Sequence, residues 1–430
     1  MPCFDNHPQR IALNNEAHAR PFDAICSPTR LSYLAYLNQD VSADADYQWL
    51  QSLCERYDVA PPKRGVNHFA ADFGAFRCKW ARHSEFTSLT FTRHGEFRDA
   101  FGEPALLHVP EDWLKAIPGP LLAAAHAGVE LQRLLPASID EIATEYFRGN
   151  DLIGARIGDG AGAAFTDFRI HADGFSRFLI SDSHLGARQA GRMLQRLFEI
   201  DTYRMLAFLA LPLAKELSPL LSTADAELAE ITRLMANAAQ EDEPGLLDRL
   251  TKLAAKIEAS LSASDYRFSA AHAYYSIVER RINELRESRM QGMQPFREFM
   301  ERRLTPAMDT CDSISRRQQM LAERVDRASD LLRTRVDITR EQQNQQLLEQ
   351  MNKRSQLQLR LQETVEGLSV AAITYYSAGL VGYLAKALKT AGVTINAELA
   401  TGVAIPLIAA SVWYGVRKMR LVVAREMGHS

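Results

Sequence analysis

At 430 residues the chain is too long for one ordinary core, so two or three folding units are expected. With 24% charged and 47% hydrophobic residues, disorder is excluded as the dominant state. A net charge of −3 removes the global basicity that nucleic acid would require, and no nucleic-acid partner is expected.

Cys3, Cys26, Cys54, Cys78 and Cys311 are scattered and without metal spacing, which fits a reducing compartment better than a disulfide framework. The first residues carry no apolar core and no cleavage signal, so the body is expected in the cytoplasm.

The densest polar constellation comes first. His7, Gln9 and Arg10 are followed by Asn14, Asn15, Glu16, His18, Arg20 and Pro21. No regular element is expected before them, so they read as loop or edge-strand residues. Glu16 and His18 could pair as base and orienter or ligate a metal, and Arg10 and Arg20 could hold an anion. The plainer reading is a hydrogen-bonded loop lock, because no third ligand is spaced nearby.

Residues 1–182 read as an α+β domain. LSYLAYL at 31–37 is a candidate strand, and 42–57 is helical with Ser42 as its cap. Phe76, Cys78 and Trp80 alternate with Arg77 and Lys79 in a period of two, and 86–93 is the expected antiparallel partner. Segments 125–134, 152–158, 165–171 and 175–181 give four more strand candidates, with turns at Gly158-Asp159-Gly160 and Ala172-Asp173-Gly174. Helices near 111–117 and 138–147 interleave, which predicts a sheet with helices on one face. Asp72, Arg77, Lys79, Arg82 and Arg93 read as a solvated sheet face. The dispersed histidines, from His68 to His184, read as surface or core residues. IGDGAG at 157–162 lacks the Gly-Lys-Ser/Thr of a phosphate loop and reads as a plain β-turn.

From about residue 185 the period turns helical, giving a helical region over 183–305. Pro212 is expected to interrupt its first helix, Ser222 and Thr223 to cap the next, and Glu243-Pro244-Gly245 to form a turn. A long amphipathic stretch over 246–290 follows, broken by Gly292 and Pro295.

After Pro306 neither Gly nor Pro occurs until Gly367, so residues 307–388 can form one helix of about 120 Å. A long stalk over 306–366 results. Its apolar positions step by three and four at Leu321, Val325, Ala328 and Leu332, and again at Leu357, Leu361, Val365 and Leu368. The polar middle, TREQQNQQ, suits a solvated strut or a weak coiled-coil seam. Such a stalk either joins copies of itself into a homo-oligomer or folds back on the helix of 246–290.

Two charge-free stretches close the pattern, and nothing similar is read before residue 367. Residues 367–385 and 399–416 are 19 and 18 long. As helices they measure roughly 27–29 Å, close to the hydrocarbon thickness of a bilayer. They predict transmembrane helices at 367–388 and 399–416, a C-terminal hairpin with a lipid bilayer as partner. Lys353, Arg354 and Arg360 precede the spans, and Arg417, Lys418, Arg420 and Arg425 follow them, against Lys386 and Lys389 in the connector. That bias places both ends in the cytoplasm. Ala378 and Gly382 form a small-xxx-small pair that permits close helix contact. The alternative is a soluble apolar hairpin buried in an oligomer.

Asn15, Glu16, His18, Ala19, Arg20 and Pro21 spell N-E-x-H-A-R-P, and Pro28, Arg30 and Ser32 continue as P-x-R-x-S. In these residues and the two closing spans the chain resembles an uncharacterised bacterial family of membrane-anchored proteins of unknown function. The resemblance covers essentially the full length. It implies attachment to the bacterial inner membrane and supplies no activity, cofactor or metal.

A second resemblance is architectural. An α/β body, a long strut and two closing spans are similar to CorA-type magnesium channels and to RMD-type membrane-anchored proteins, with Ser315, Arg316, Arg317, Leu321 and Arg324 before the strut reminiscent of both. The channel family's Gly-Met-Asn is absent, and Ala385-Lys386-Ala387-Leu388 stands in its place.

No Ser/His/Asp elbow, zinc-protease helix, nucleotide fingerprint or kinase motif set is present. The expected function is a membrane-anchored structural or regulatory protein, oligomeric and displaying its α+β domain in the cytoplasm. The alternatives are a CorA-like channel and an enzyme using Glu16, His18 and Arg20.

Overall fold

The computed structural model describes residues 5–17, 22–97, 99–136, 138–237, 242–391 and 396–427. Two units divide the chain: Met1–Asn237 with Gly245–Ser329, and Ala238–Pro244 with Asp330–Ser430.

The first unit opens on helix α1 (Arg10–Ala17). Asn15 and Glu16 therefore stand on a helix, not on the expected loop or edge strand. The run has neither Gly nor Pro, and His7 Nδ1 accepts the Gln9 N–H at 3.2 Å ahead of it. His18, Arg20 and Pro21 lie outside the described residues.

Strand β1 (Thr29–Leu37) and helix α2 (Ala43–Arg56) come next. Ser42 caps α2 as expected, its hydroxyl accepting the Ala45 N–H at 3.1 Å. Strands β2 (His68–Asp72), β3 (Arg77–Arg82) and β4 (Phe86–His94) form a meander. Helix α3 (Glu111–Lys115), strand β5 (Leu121–Leu131) and helix α4 (Ile139–Phe147) lead to β6 (Ile153–Ile157), β7 (Gly162–Thr166) and β8 (Ser176–Asp182).

The strands build one eight-stranded sheet in the order β2-β3-β4-β1-β5-β8-β7-β6. Among the described strands, β5 and β8 pair in parallel and the other neighbours antiparallel. The Gly158-Asp159-Gly160 turn joins β6 to β7, each residue at positive φ. Strand β7 stops at Thr166, short of the expected 165–171. Beyond it Asp167 draws the chain out of the ladder by accepting from Asn150, the Arg169 N–H and His171.

Helices cover both faces of this sheet, where one covered face was expected. Trp49 of α2 and Trp113 of α3 stack at 3.9 Å over one face. Helix α5 (Ala187–Phe208) covers the other, where Tyr33 stacks on Phe198 at 4.6 Å and its hydroxyl meets Thr202 at 2.9 Å. Strand β1 explains the need: Leu31 and Tyr33 on one side and Leu34 and Tyr36 on the other are all buried. A central strand apolar on both sides requires two layers.

Helix α6 (Ala210–Asn237) starts after a break at Leu209, which puts Pro212 in its first turn, where proline is tolerated. It continues unbroken through Pro219. Ser222 and Thr223 are therefore not caps. Their hydroxyls donate to the Ser218 and Pro219 carbonyls, both at 3.0 Å. Glu243-Pro244-Gly245 is likewise no turn: it opens helix α7 (Glu243–Leu285), with Pro244 at a starting position that lacks an obligatory donor. The segment Ala187–Asn237 also contains a window apolar enough to cross a membrane, against the reading that nothing similar precedes residue 367. Ala210, Ala214, Leu217 and Leu221 of that segment are buried, so it serves the core of the first unit.

Helix α8 (Phe296–Arg303) precedes α9 (Thr305–Thr390), a single helix of 86 residues. Within the first unit, Gln318 donates to Ser260 and Ser264, both at 3.2 Å. Arg317 and Arg324 both pair with Asp225 at 2.8 Å. The arginines of the stretch before the strut thus have a local structural use.

In the second unit Glu243 accepts Arg335 of α9 at 3.0 Å. Past residue 340 the side chains of α9 are almost all exposed. Helix α10 (Ala397–Met427) follows, with Pro406 inside it. A Cβ on Gly382 would lie 3.3 Å from Thr401 Oγ1, so the small residue admits α10 at that point. Ala378 and Ala385 are buried along the same stretch.

Candidate functional site

The segment after Pro21 is fixed on α5. Phe22 lies under the Arg192 guanidinium at 5.0 Å, and the Ile25 N–H donates to the Ala187 carbonyl at 2.9 Å. Gly191 makes this approach possible, since a Cβ there would stand 1.8 Å from the Asp23 carbonyl oxygen. The chain then enters β1, which forms part of the floor of a cavity of about 330 Å³.

Register builds the floor. Lys79 of β3 pairs with Thr90 of β4, which pairs with Tyr33 of β1. One residue pair along, Ala81, Ser88 and Ala35 form the neighbouring row. Side chains alternate along a strand, so these rows face α5 together. The roof is α5, with Gln195, Phe198, Glu199 and Tyr203, joined by Arg281 of α7; Asp23 closes one side.

The charges are interlocked. Arg281 pairs with Glu199 and with Glu284, the latter at 2.8 Å. Burial alone would lower the Arg281 pKa, but the two carboxylates raise it. Burial lowers the Lys79 pKa despite Asp23 and Glu199, and Arg77 adds to the fall. Asp23 itself accepts from Arg77 at 3.2 Å. Gln195 Nε2 donates to Glu199 at 2.7 Å, while Gln195 Oε1 is buried with no hydrogen-bond partner among the described residues. Such an oxygen sits there at a cost unless something donates to it.

This geometry overturns the reading of Asp72, Arg77, Lys79, Arg82 and Arg93 as one solvated face. Arg77 and Lys79 lie on the α5 side, and Arg82 turns to the α2 side to pair with the buried Asp46. The cover comes from α5, more than a hundred residues later, which period-two patterning cannot reveal. Gln195, Glu199 and Arg281 lie on amphipathic helices, where polar residues read as solvent-facing. No sequence signal singled them out.

Arg30 points away from the cavity. Its guanidinium donates to the Glu103 carbonyl at 2.7 Å and carboxylate at 3.1 Å, and lies over Phe97. It anchors β1. Of Asn15 and Glu16 only the helical backbone is described. Among the described residues there is no cluster fit to hold a metal.

Ser32 and His126 form a buried pair at 3.0 Å, but Ser32 also accepts the Leu106 N–H at 3.1 Å and His126 stacks on Phe175 at 3.9 Å. With the hydroxyl wholly buried, this pair holds packing and does not present a nucleophile. Burial pushes the His126 pKa from 6.5 down to about 4. The folded value lies below the unfolded one, so its stabilisation is present above pH 6.5 and is lost as the pH falls toward 4. The loss amounts to about 3 kcal/mol. Glu130 acts in the opposite sense: burial raises its pKa to about 6, so its contribution is lost as the pH rises through that value. The comparison of wild type with His126→Gln isolates the histidine. The urea midpoint of the variant is expected to fall less from about pH 7 to about pH 4, and equal slopes would contradict the assignment.

No curated protein and no solved structure matches the chain, and the resemblance to CorA-type channels finds no support. A family model does match, over residues 5–423, nearly the whole length, and the chain belongs to that family, described as protein of unknown function (DUF3422).

Proposed function

We propose that this is a membrane-anchored protein that displays its α+β unit in the cytoplasm in a structural or regulatory role. The end of α9 and helix α10 cross the bacterial inner membrane as a hairpin, with both ends of the chain inside. One observation carries the reading: the apolar window of α10 has a mean hydropathy of 1.7 and none of it is buried, while that of α9 is 11% buried. Leu380, Leu384, Leu399, Val403 and Leu407 stand open. So many exposed apolar residues in one region call for lipid or another chain. Trp413 under the Arg417 guanidinium at 5.0 Å suits the water interface at the basic end.

Self-association belongs to the same proposal. Leu357, Leu361, Val365 and Leu368 are exposed along α9 at steps of four and three, with Leu347 and Met351 a separate exposed pair before them, a weak and interrupted seam for a second copy.

Alkaline washing of membranes from expressing cells tests the anchor. The full chain is expected to stay in the pellet. Leu380→Arg combined with Leu407→Arg is expected to release most of it, since each charge near mid-span costs about 2.5–3.5 kcal/mol of insertion. Wild-type chain in the supernatant would overturn the reading.

A further inference from the structure

The cavity under α5 has two polar walls of different character. Its floor offers the Lys79 ammonium in one row with the Thr90 hydroxyl, beside the small side chains of Ala81 and Ser88. Its roof offers Gln195 Oε1, an acceptor with no partner among the described residues. The orientation of that amide is fixed, because its nitrogen donates to the Glu199 carboxylate. We propose that this cavity binds a small zwitterion of amino-acid size, its carboxylate against Lys79 and Thr90 and its ammonium against Gln195.

Charge supports both poles. Asp23 and Glu199 balance Lys79 and Arg281 in the lining, so a ligand of zero net charge leaves that balance intact. A dianion would add two negative charges to a lining whose cations, among the described residues, are already matched by Asp23 and Glu199. A wholly apolar guest would leave the Gln195 oxygen buried and unsatisfied. Burial disfavours the charged form of Lys79, and an arriving carboxylate reverses that. The volume of about 330 Å³ lies at the lower end for small-molecule sites, and Phe198 and Tyr203 supply the apolar wall such sites need. The site sits wholly within the first unit, so the proposal does not depend on the anchoring reading.

The test uses the full chain in detergent, titrated by calorimetry and thermal shift with each of the common amino acids, and with acetate and ethylamine as single-pole probes. At least one amino acid is expected to bind saturably and raise the melting temperature, and neither single-pole probe to match it. Lys79→Met and Gln195→Leu are expected to weaken binding by about tenfold or more, the worth of one charge-assisted hydrogen bond. Thr90→Val, nearly isosteric, is expected to weaken it about three- to tenfold and serves if Lys79→Met fails to fold. Lys252→Met, on the exposed surface of α7, is expected to bind as wild type. Failure of every amino acid to bind wild-type protein would overturn the proposal. So would acetate binding as tightly as the best amino acid, or unchanged affinity in Gln195→Leu and Thr90→Val.

Discussion

Glu85→Ala is expected to lower the unfolding free energy by about 3–5 kcal/mol, the cost of stripping a buried ion pair of one partner. Glu85 is 3% exposed at the turn between β3 and β4. It accepts the Tyr266 and Tyr274 hydroxyls, both at 2.8 Å, and pairs with Arg267 at 2.9 Å. These three partners come from α7, and Gln39 also donates to the carboxylate at 3.0 Å, so one side chain ties that helix to the sheet. Without it the Arg267 charge, 17% exposed, loses its counterion. Burial would raise the Glu85 pKa, but the two tyrosines and Arg267 outweigh it and the value is lowered. A depressed carboxylate contributes stability that is present above its unfolded pKa and lost as the pH falls through the folded one. Chemical denaturation at neutral pH and in acid checks both statements. A loss under 1 kcal/mol at neutral pH would show that α7 is held mainly by other contacts.

Trp113→Ala is expected to cost a similar amount, about 3–5 kcal/mol, for a different reason. Trp113 and Trp49 stack at an interplanar angle of 7°, and each indole donates to the other's carbonyl, at 2.8 and 3.1 Å. The truncation opens a void between Phe91 and Trp49 and removes the indole that donates to the Trp49 carbonyl, while the Trp49 indole keeps its acceptor, the backbone carbonyl of residue 113. Trp113→Phe keeps most of the volume and loses only the hydrogen bond that the Trp113 indole donates. Its melting temperature is expected midway between wild type and Trp113→Ala. If the two variants melt alike, packing contributes little and the hydrogen bond from the Trp113 indole dominates.

The sequence signal was strongest where one local pattern decides the outcome. Ser42 caps α2 through its hydroxyl at 3.1 Å, as the sequence implied. The absence of Gly and Pro after Pro306 sufficed for a helix over the whole expected stretch. Local signals failed where tertiary contacts override them. Ser222 and Thr223 resemble caps, yet Pro219 is accommodated and their hydroxyls bond backward. Strand β2 was not anticipated because HFAAD carries little β propensity; its pairing with β3 creates it.

The candidate site was the least legible part. Lys79 was visible only as half of an alternating pattern, and its polar partners sit on α5 and α7, whose register against the sheet no spacing rule supplies. Of the conspicuous signature, His18, Arg20 and Pro21 lie outside the described residues. Asp23, two residues beyond Pro21, lines the cavity, while Arg30 anchors β1 on the opposite face.

Cysteine accessibility in intact cells tests the proposal that the C-terminal hairpin crosses the membrane with both ends inside. The five native cysteines are replaced by serine. Single cysteines are then placed at Asn396 in the connector and at Ser377 within the first span. A membrane-impermeant maleimide is expected to label the Asn396→Cys chain from outside and to spare Ser377→Cys until detergent is added. Labelling of neither position in intact cells, with both labelled after lysis without detergent, would place the hairpin in the cytoplasm and contradict the account.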